Sequence, residues 1–434
     1  MSNLYTRSGE IYERALKVFP GGNTRITYVM TPFAPYAAKG EGAHVWDADG
    51  QEYLDLANNF FSLIHGHAKA EIANAIIDVV SSGTAFGLPT QHEVLLAEEI
   101  CCRSSAFEQI RFVNSGTEAV MMAIKAARAF SRKTKIAKVE GGYHGSYDHM
   151  EVSLDSSPKN WGAEEPASVA YTRGTPQSVL DETVVLPFND AERAVSIIEK
   201  HAKDLAAVII DPMPSRVGMI AATREFLDAI RDVTRRHQIV LIFDEVISFR
   251  LDIGGAHGLM GVEPDLIALG KIIGGGLPIG AIAGKREVMS VFDWRFGKPL
   301  LPAGGTFAAN PVTMAAGLAS MRLLTPAALS RLNALGEHFR AGMRQIFAAE
   351  GAAWQVTGGG SLFRLHPHTR PVTDYRSSYP TDDEKNKIDR LYRELLKRGV
   401  LLTLNCSGAI STPTQEADID RVLVVLRDLV KEGF

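Results

Sequence analysis

The sequence predicts an α/β protein, with a mostly parallel central sheet in a large domain and a smaller α+β domain. Two observations carry this. Short β-branched runs alternate with helical patterns through the middle of the chain, and each run leads directly into a polar cluster. Beyond about residue 320 the pattern changes to capped amphipathic helices with a few short strand candidates.

The elements follow in order. Residues 110–113 lead into Asn114-Ser115-Gly116-Thr117, after which Val120, Met121, Ile124 and Ala127 recur at helical spacing. Residues 135–139 lead into Glu140-Gly141-Gly142-Tyr143-His144-Gly145, and residues 206–210 into Asp211-Pro212. Residues 239–243 lead into Asp244-Glu245, and residues 266–269 into Gly270-Lys271, with a triple glycine from Gly274 to Gly276. Ligands of open α/β sheets collect outside the carboxyl ends of the strands, so these clusters mark one edge as the site.

In the C-terminal part, Gly358–Gly360 reads as a hinge into a strand over 361–365. Residues 369–381 read as an exposed polar loop. Thr381-Asp382-Asp383-Glu384 is a capping box for a helix with Ile388, Leu391, Tyr392, Leu395 and Leu396 on its apolar face. A strand is expected over 400–404, then a last helix with Ile419, Val422, Leu423, Leu426 and Val430 on one face. The expected division is 1–50, an N-terminal segment joining the small domain; 51–319, the large domain; and 320–434, the small domain.

Composition narrows the function classes. The apolar share is 46%, the charged share 22% and the net charge −4, without long blocks of one sign. Neither a nucleic-acid partner nor a polybasic membrane contact is indicated. Three cysteines, Cys101, Cys102 and Cys406, with no C-x-x-C, suit a reducing, cytoplasmic location and speak against disulfides or structural zinc. Residues 1–17 lack the apolar core of a signal peptide. Residues 266–284 are almost continuously apolar, but a lysine at mid-bilayer costs about 2.5–3.5 kcal/mol. With Lys271, Pro278 and repeated glycines the stretch reads as buried strand, loop and strand.

Lys271 and Asp244 carry the chemistry. A lysine between buried segments, with an acid from a neighbouring strand end, suits pyridoxal phosphate: the amine forms a Schiff base, and the acid keeps the pyridine nitrogen protonated. Ser115-Gly116-Thr117 at a helix start can bind a phosphate through backbone N–H groups or be a plain N-cap. Tyr143 can stack on a flat heteroaromatic ring, worth about 0.5–1.5 kcal/mol beyond burial, or be a half-buried loop tyrosine. His144 has no independent argument. Asp244-Glu245 would suit a magnesium-dependent ATPase only with a phosphate loop, which is absent, and Ile279 breaks the dinucleotide fingerprint. His65-Gly66-His67 lacks a third nearby ligand, so no metal is expected. Gly304-Gly305-Thr306 and Asn310-Pro311 announce a helix over 312–324.

Taken together, Asn114-Ser115-Gly116-Thr117-Glu118-Ala119, Tyr143-His144-Gly145, Asp244-Glu245-Val246 and Leu269-Gly270-Lys271-Ile272-Ile273-Gly274-Gly275-Gly276 resemble class III aminotransferases of the fold type I pyridoxal phosphate enzymes. The resemblance runs from about Phe19 to the C-terminus, and within the class the chain is similar to the glutamate-1-semialdehyde aminomutase branch, which includes aromatic β-amino acid aminotransferases. It implies that Lys271 holds the cofactor and shuttles the proton and that Asp244 binds the pyridine nitrogen. Val246 and Tyr143 would cover the two ring faces, while Ser115, Gly116 and Thr117 hold the phosphate. Thr306 would reach the cofactor phosphate of a second subunit, which implies a homodimer with shared sites. Pro20-Gly21-Gly22-Asn23-Thr24-Arg25 is similar to the β-amino acid aminotransferases, making Arg25 the substrate carboxylate clamp.

Departures from the family pattern shift the expected reaction. Asn405-Cys406-Ser407-Gly408 lacks the carboxylate that aminomutases carry there, and Arg216 stands where they have asparagine, as a candidate contact for the ring oxygen or a second substrate acid. The expectation is a ping-pong transfer between an amino donor, a β-amino acid by this pattern, and a keto acid acceptor. Aminomutase and racemase activities are the alternatives.

Overall fold

The computed structural model describes residues 6–433; residues 1–5 and 434, which the expected domain limits include, lie outside it. Two compact units emerge. Unit 1 holds residues through Ala70, Arg331–Thr369 and those from Pro380 on; unit 2 holds Glu71–Ser330 and Arg370–Tyr379. The expected limits differ from this division: residues 51–70 group with the N-terminal segment, the second limit moves to 330, and a ten-residue piece expected in the small domain joins unit 2.

In unit 1 a helix, Thr6–Ala15, precedes an antiparallel meander of β1 (Ala37–Glu41), β2 (His44–Asp47) and β3 (Glu52–Asp55). Unit 2 is built on a seven-stranded sheet of β4 (Gln109–Val113), β5 (Lys135–Val139), β6 (Thr183–Leu186), β7 (Leu205–Ile210), β8 (Val240–Asp244), β9 (Leu266–Gly270) and β10 (Gly280–Gly284). Their order is β4-β10-β9-β8-β7-β5-β6, and pairing is parallel except where β10 runs antiparallel to both neighbours. Every residue of β7, β8, β9 and β10 is buried. Burial on both faces explains why these strands read as continuous apolar runs rather than alternating ones. Helix Gly116–Ser131 packs on the sheet through Val120, Ala123, Ile124 and Ala127.

The C-terminal part of unit 1 adds β11 (Gln355–Thr357), β12 (Leu362–His366), β13 (Val400–Leu401) and β14 (Ser407–Ala409). β13 pairs parallel with β3, and β12 lies between β11 and β14. β13 is shorter than expected because the chain turns: Thr403 N–H donates to Ser407 O, and Cys406 takes a positive φ of 54°. The capping box of helix Asp382–Lys397 forms as read, Thr381 and Glu384 each accepting the other's backbone N–H.

Residues 369–381 correct the expectation of an exposed loop. Tyr375 and Ser378 are buried in a short helix, Tyr375–Ser378, capped by Asp374. Aromatic contacts to Trp161 and an ion pair from Arg376 to buried Glu140 override the polar composition. Among the described residues no single helix is long and apolar enough to cross a membrane, and 266–284 form β9, a turn and β10.

Candidate active site

Strand register assembles the site. Gly280, at the start of β10, pairs with Val113 at the end of β4 and with Gly270 at the end of β9. The chain therefore leaves the sheet at Asn114-Ser115 and at Lys271 on either side of one glycine. A side chain at Gly280 would overlap the Ser115 carbonyl, so only glycine permits this approach. Lys271 opens the turn Lys271–Gly274 with φ 49°, an uncommon conformation for a lysine.

The acids arrive from the neighbouring strands. Asp244 ends β8 and is 4% exposed; Asp211 directly follows β7 and is also buried. Asp244 Oδ2 lies 2.8 Å from His144 Nδ1, and Asp244 Oδ1 accepts the Val246 N–H at 3.0 Å. His144 is buried, and its own Nε2 has no hydrogen-bond partner among the described residues. Burial lowers the His144 pKa, against the opposing hydrogen bond from Asp244. Burial likewise pulls the Lys271 amine below its usual range, although Asp244 and Asp211 both favour its charge. Burial and then the charge of Asp244 push Asp211 well above the usual carboxylate range. One amine and two acids thus sit within electrostatic reach of each other.

The helix Gly116–Ser131 supplies the anion-binding end. Ser115 Oγ accepts the Glu118 N–H at 3.1 Å, and Ser115 O accepts the Ala119 N–H. Ser115 is therefore the N-cap, and the amides of Gly116 and Thr117, which have no helical acceptor, can serve an anion. Val246 lies against both Gly116 and Gly270, between the helix start and the turn of Lys271. Tyr143 is 45% exposed on the turn after β5, and Thr117 Oγ1 accepts the Ser146 N–H at 3.3 Å, tying that turn to the same helix.

The remaining expected residues are spread more widely. Arg216, after β7, donates to Asp155 Oδ1 at 3.0 Å and to Leu154 O at 3.3 Å, while its buried Nε has no partner among the described residues. Thr306 is exposed and lines a cavity of about 230 Å³ with Phe86, Leu88 and Pro311. Arg25 lies in unit 1, where its Nη1 donates to Asn59 Oδ1 at 2.6 Å. It borders a cavity of about 420 Å³ walled by Tyr28, Phe33, Tyr36 and Tyr392. His65 and His67 are hydrogen-bonded to Thr412 and Asp55.

These residues fit pyridoxal phosphate. The buried carboxylate of Asp244 beside the amine favours a protonated ring nitrogen next to it, and the helix-start amides favour a phosphate. The model for "Aminotransferase class-III" matches residues 28–410. The chain belongs to the class III aminotransferase family. Among curated relatives, a glutamate-1-semialdehyde 2,1-aminomutase of Sulfurihydrogenibium azorense is 36% identical, over 98% of this chain and 99% of its own. Among solved structures, an ω-transaminase from Sphaerobacter thermophilus is 49% identical with a TM-score of 0.96, covering 99% and 98% of the two chains. A transaminase with pyridoxal phosphate bound is 43% identical with a TM-score of 0.91, covering 98% and 97%. A β-phenylalanine aminotransferase from Variovorax paradoxus is 34% identical with a TM-score of 0.89, covering 99% and 95%. The fold is that of the fold type I pyridoxal phosphate enzymes, and pyridoxal phosphate is the cofactor.

Residue patterns do not reveal the partner of His144 or the buried lysine Lys138. Lys138 lies inside β5, donates to Val152 O at 2.8 Å, and has its pKa lowered by burial to about 7. A lysine between the apolar residues Ala137 and Val139 of a strand run was the available signal.

Proposed function

We propose that the protein is a homodimeric aminotransferase that takes the amino group of a β-amino acid and passes it to a keto acid. The observation that carries the reading is the arrangement of Lys271, Asp244 and Asp211 at adjoining strand ends, with His144 locking Asp244. Pyridoxal phosphate, when bound, supplies the electron sink for the carbon that loses its proton. Lys271 would hold the cofactor aldehyde through Nζ. The same Nζ would accept the proton from the amine-bearing carbon, and the burial that lowers its pKa works in that direction. Asp244 would keep a proton at the ring nitrogen, its orientation fixed by His144. Val246 and Tyr143 would hold the ring from its two sides, and Ser115, Gly116 and Thr117 the phosphate.

Arg25 binds the substrate carboxylate in this reading. Its guanidinium has no carboxylate partner among the described residues, and the aromatic cavity it borders suits an apolar side chain. The Variovorax paradoxus neighbour supports a β-amino acid substrate. Arg216, with a carboxylate already on it, is the candidate contact for a second acid group. The names of the curated relatives favour an aminomutase instead. Against that, the segment Thr403–Ser407 forms a hydrogen-bonded group of Thr403, Asn405 and Ser407 with no acid in it.

A panel of α-, β- and ω-amino donors against pyruvate and 2-oxoglutarate tests the assignment. Turnover of β-phenylalanine with either acceptor is expected. Aminolevulinate formed from glutamate-1-semialdehyde without an acceptor, and no transfer to any keto acid, overturns it. Support for the homodimer comes from the large apolar side chains that unit 2 exposes within a short stretch of chain, Trp294, Phe296, Leu300 and Phe307. Thr306 directly precedes Phe307, and a second copy of the chain is the expected partner of this stretch. Sedimentation velocity should give a dimer; a monomer removes the shared-site role of Thr306.

A further inference from the structure

The function above leaves unused the segment Arg370–Tyr379, a strap of unit 2 whose two ends continue into unit 1. Arg376 is fully engaged there: Nε donates to Glu140 Oε2 at 2.7 Å, and Nη2 to Glu140 Oε1 at 3.2 Å and Trp161 O at 2.7 Å. Its Nη1 donates to Gly162 O at 2.8 Å, and the guanidinium lies over the Trp161 ring at 4.9 Å. Glu140 is 2% exposed and also accepts the Ser156 hydroxyl. Tyr375 donates its hydroxyl to Ser156 O at 2.7 Å. Its ring rests on Gly141, which has φ 71° and where a side chain would overlap the ring.

Glu140 and Gly141 begin the turn that carries Tyr143 and His144. The far end of that turn is fastened to Thr117, at the start of the helix Gly116–Ser131. The strap therefore clamps one end of a short turn whose middle holds the histidine bonded to Asp244. A buried ion pair is a poor source of stability compared with apolar packing, whereas its fixed geometry suits registration. We infer that Arg376 and Tyr375 are positioning residues: they set the height and tilt of the turn over residues 140–145, so that Tyr143 and His144 meet the cofactor ring and Asp244 in one arrangement. This rests on the reading of Asp244 and Tyr143 as ring contacts.

The test uses cofactor binding. Arg376→Lys keeps the charge but cannot fork to Glu140 and two carbonyls at once. It should weaken pyridoxal phosphate binding about ten-fold and reduce the visible circular dichroism of the bound cofactor. Tyr375→Phe keeps the ring and should weaken binding about three-fold. Arg231→Lys, which disturbs the Arg231–Asp265 pair at the other end of β9, should lower Tm while leaving both cofactor readouts unchanged. If Arg376→Lys behaves like Arg231→Lys, with Tm lowered and binding and dichroism intact, the inference is overturned. Should Arg376→Lys fail to fold, Tyr375→Phe decides by the same two readouts. Wild-type protein that binds no cofactor defeats the functional reading itself, which a normal wild type beside insensitive variants does not.

Discussion

The sheet edge of unit 2 and the N-terminal stretch around Arg25 in unit 1 are held in opposite ways. At the sheet edge, Lys271, Asp244 and Ser115 follow or end strands whose register is fixed by ladder pairing, and two of these strands, β8 and β9, are buried throughout. Arg25 lies between the short 3₁₀ turns Pro20–Gly22 and Ile26–Tyr28, and its anchor Asn59 belongs to a run, Asn58, Asn59, Phe60 and Phe61, with φ from 47° to 70°. The proposed reacting groups Asp244 and Lys271 stand at, or one residue past, the ends of paired strands, whereas the proposed substrate-selecting group stands between two short turns. Chemistry and selectivity are thereby separable by mutation.

Four outcomes sharpen or break this contrast. The largest effect is expected from Lys271→Ala, which should lower kcat on the order of 10⁴-fold. Intact mass after borohydride treatment should show a cofactor adduct on the wild type and none on the variant. Asp244→Asn should lower kcat by about 10²–10³-fold while the far-ultraviolet spectrum stays native, since the carboxylate's charge acts on the reacting system. Arg25→Gln should leave kcat nearly intact and raise KM for the amino donor about 10–100-fold, the loss of a charge-assisted contact. Equal losses in kcat would instead place Arg25 with the reacting groups. The smallest effect concerns pH and the apoprotein. Asp211 keeps its proton when folded to a higher pH than it does unfolded, because burial and Asp244 oppose its charge. As pH rises through that window the unfolded chain releases a proton that the folded chain retains, so stability falls. Asp211→Asn has no such proton, and its urea midpoint should overtake that of the wild type as pH increases from the acid end.

The contrast also governs what could be read from residues alone. Strand β5 was legible to the residue, and β7, β8 and β9 to within one, because buried parallel strands write themselves as apolar runs ending in polar clusters. Lys271 and Asp244 stood out for the same reason. Local patterns carry nothing about which distant residues meet, so the His144–Asp244 bond, across 100 positions, and the Arg376–Glu140 pair, across 236, left no trace. The strap over 370–379 was misjudged because its Asp, Ser, Thr and Arg content signals solvent, while its burial depends on two tyrosines finding Trp161.

The bare Cα of Gly280 constrains mutation. It leaves no single substitution at this position that keeps the spacing between Lys271 and the helix start at Gly116, because even one added methyl meets the Ser115 carbonyl oxygen. Under the proposed function, a change of substrate range falls to residues such as Arg25 and Arg216, and the packed strand start at Gly280 offers no room for one.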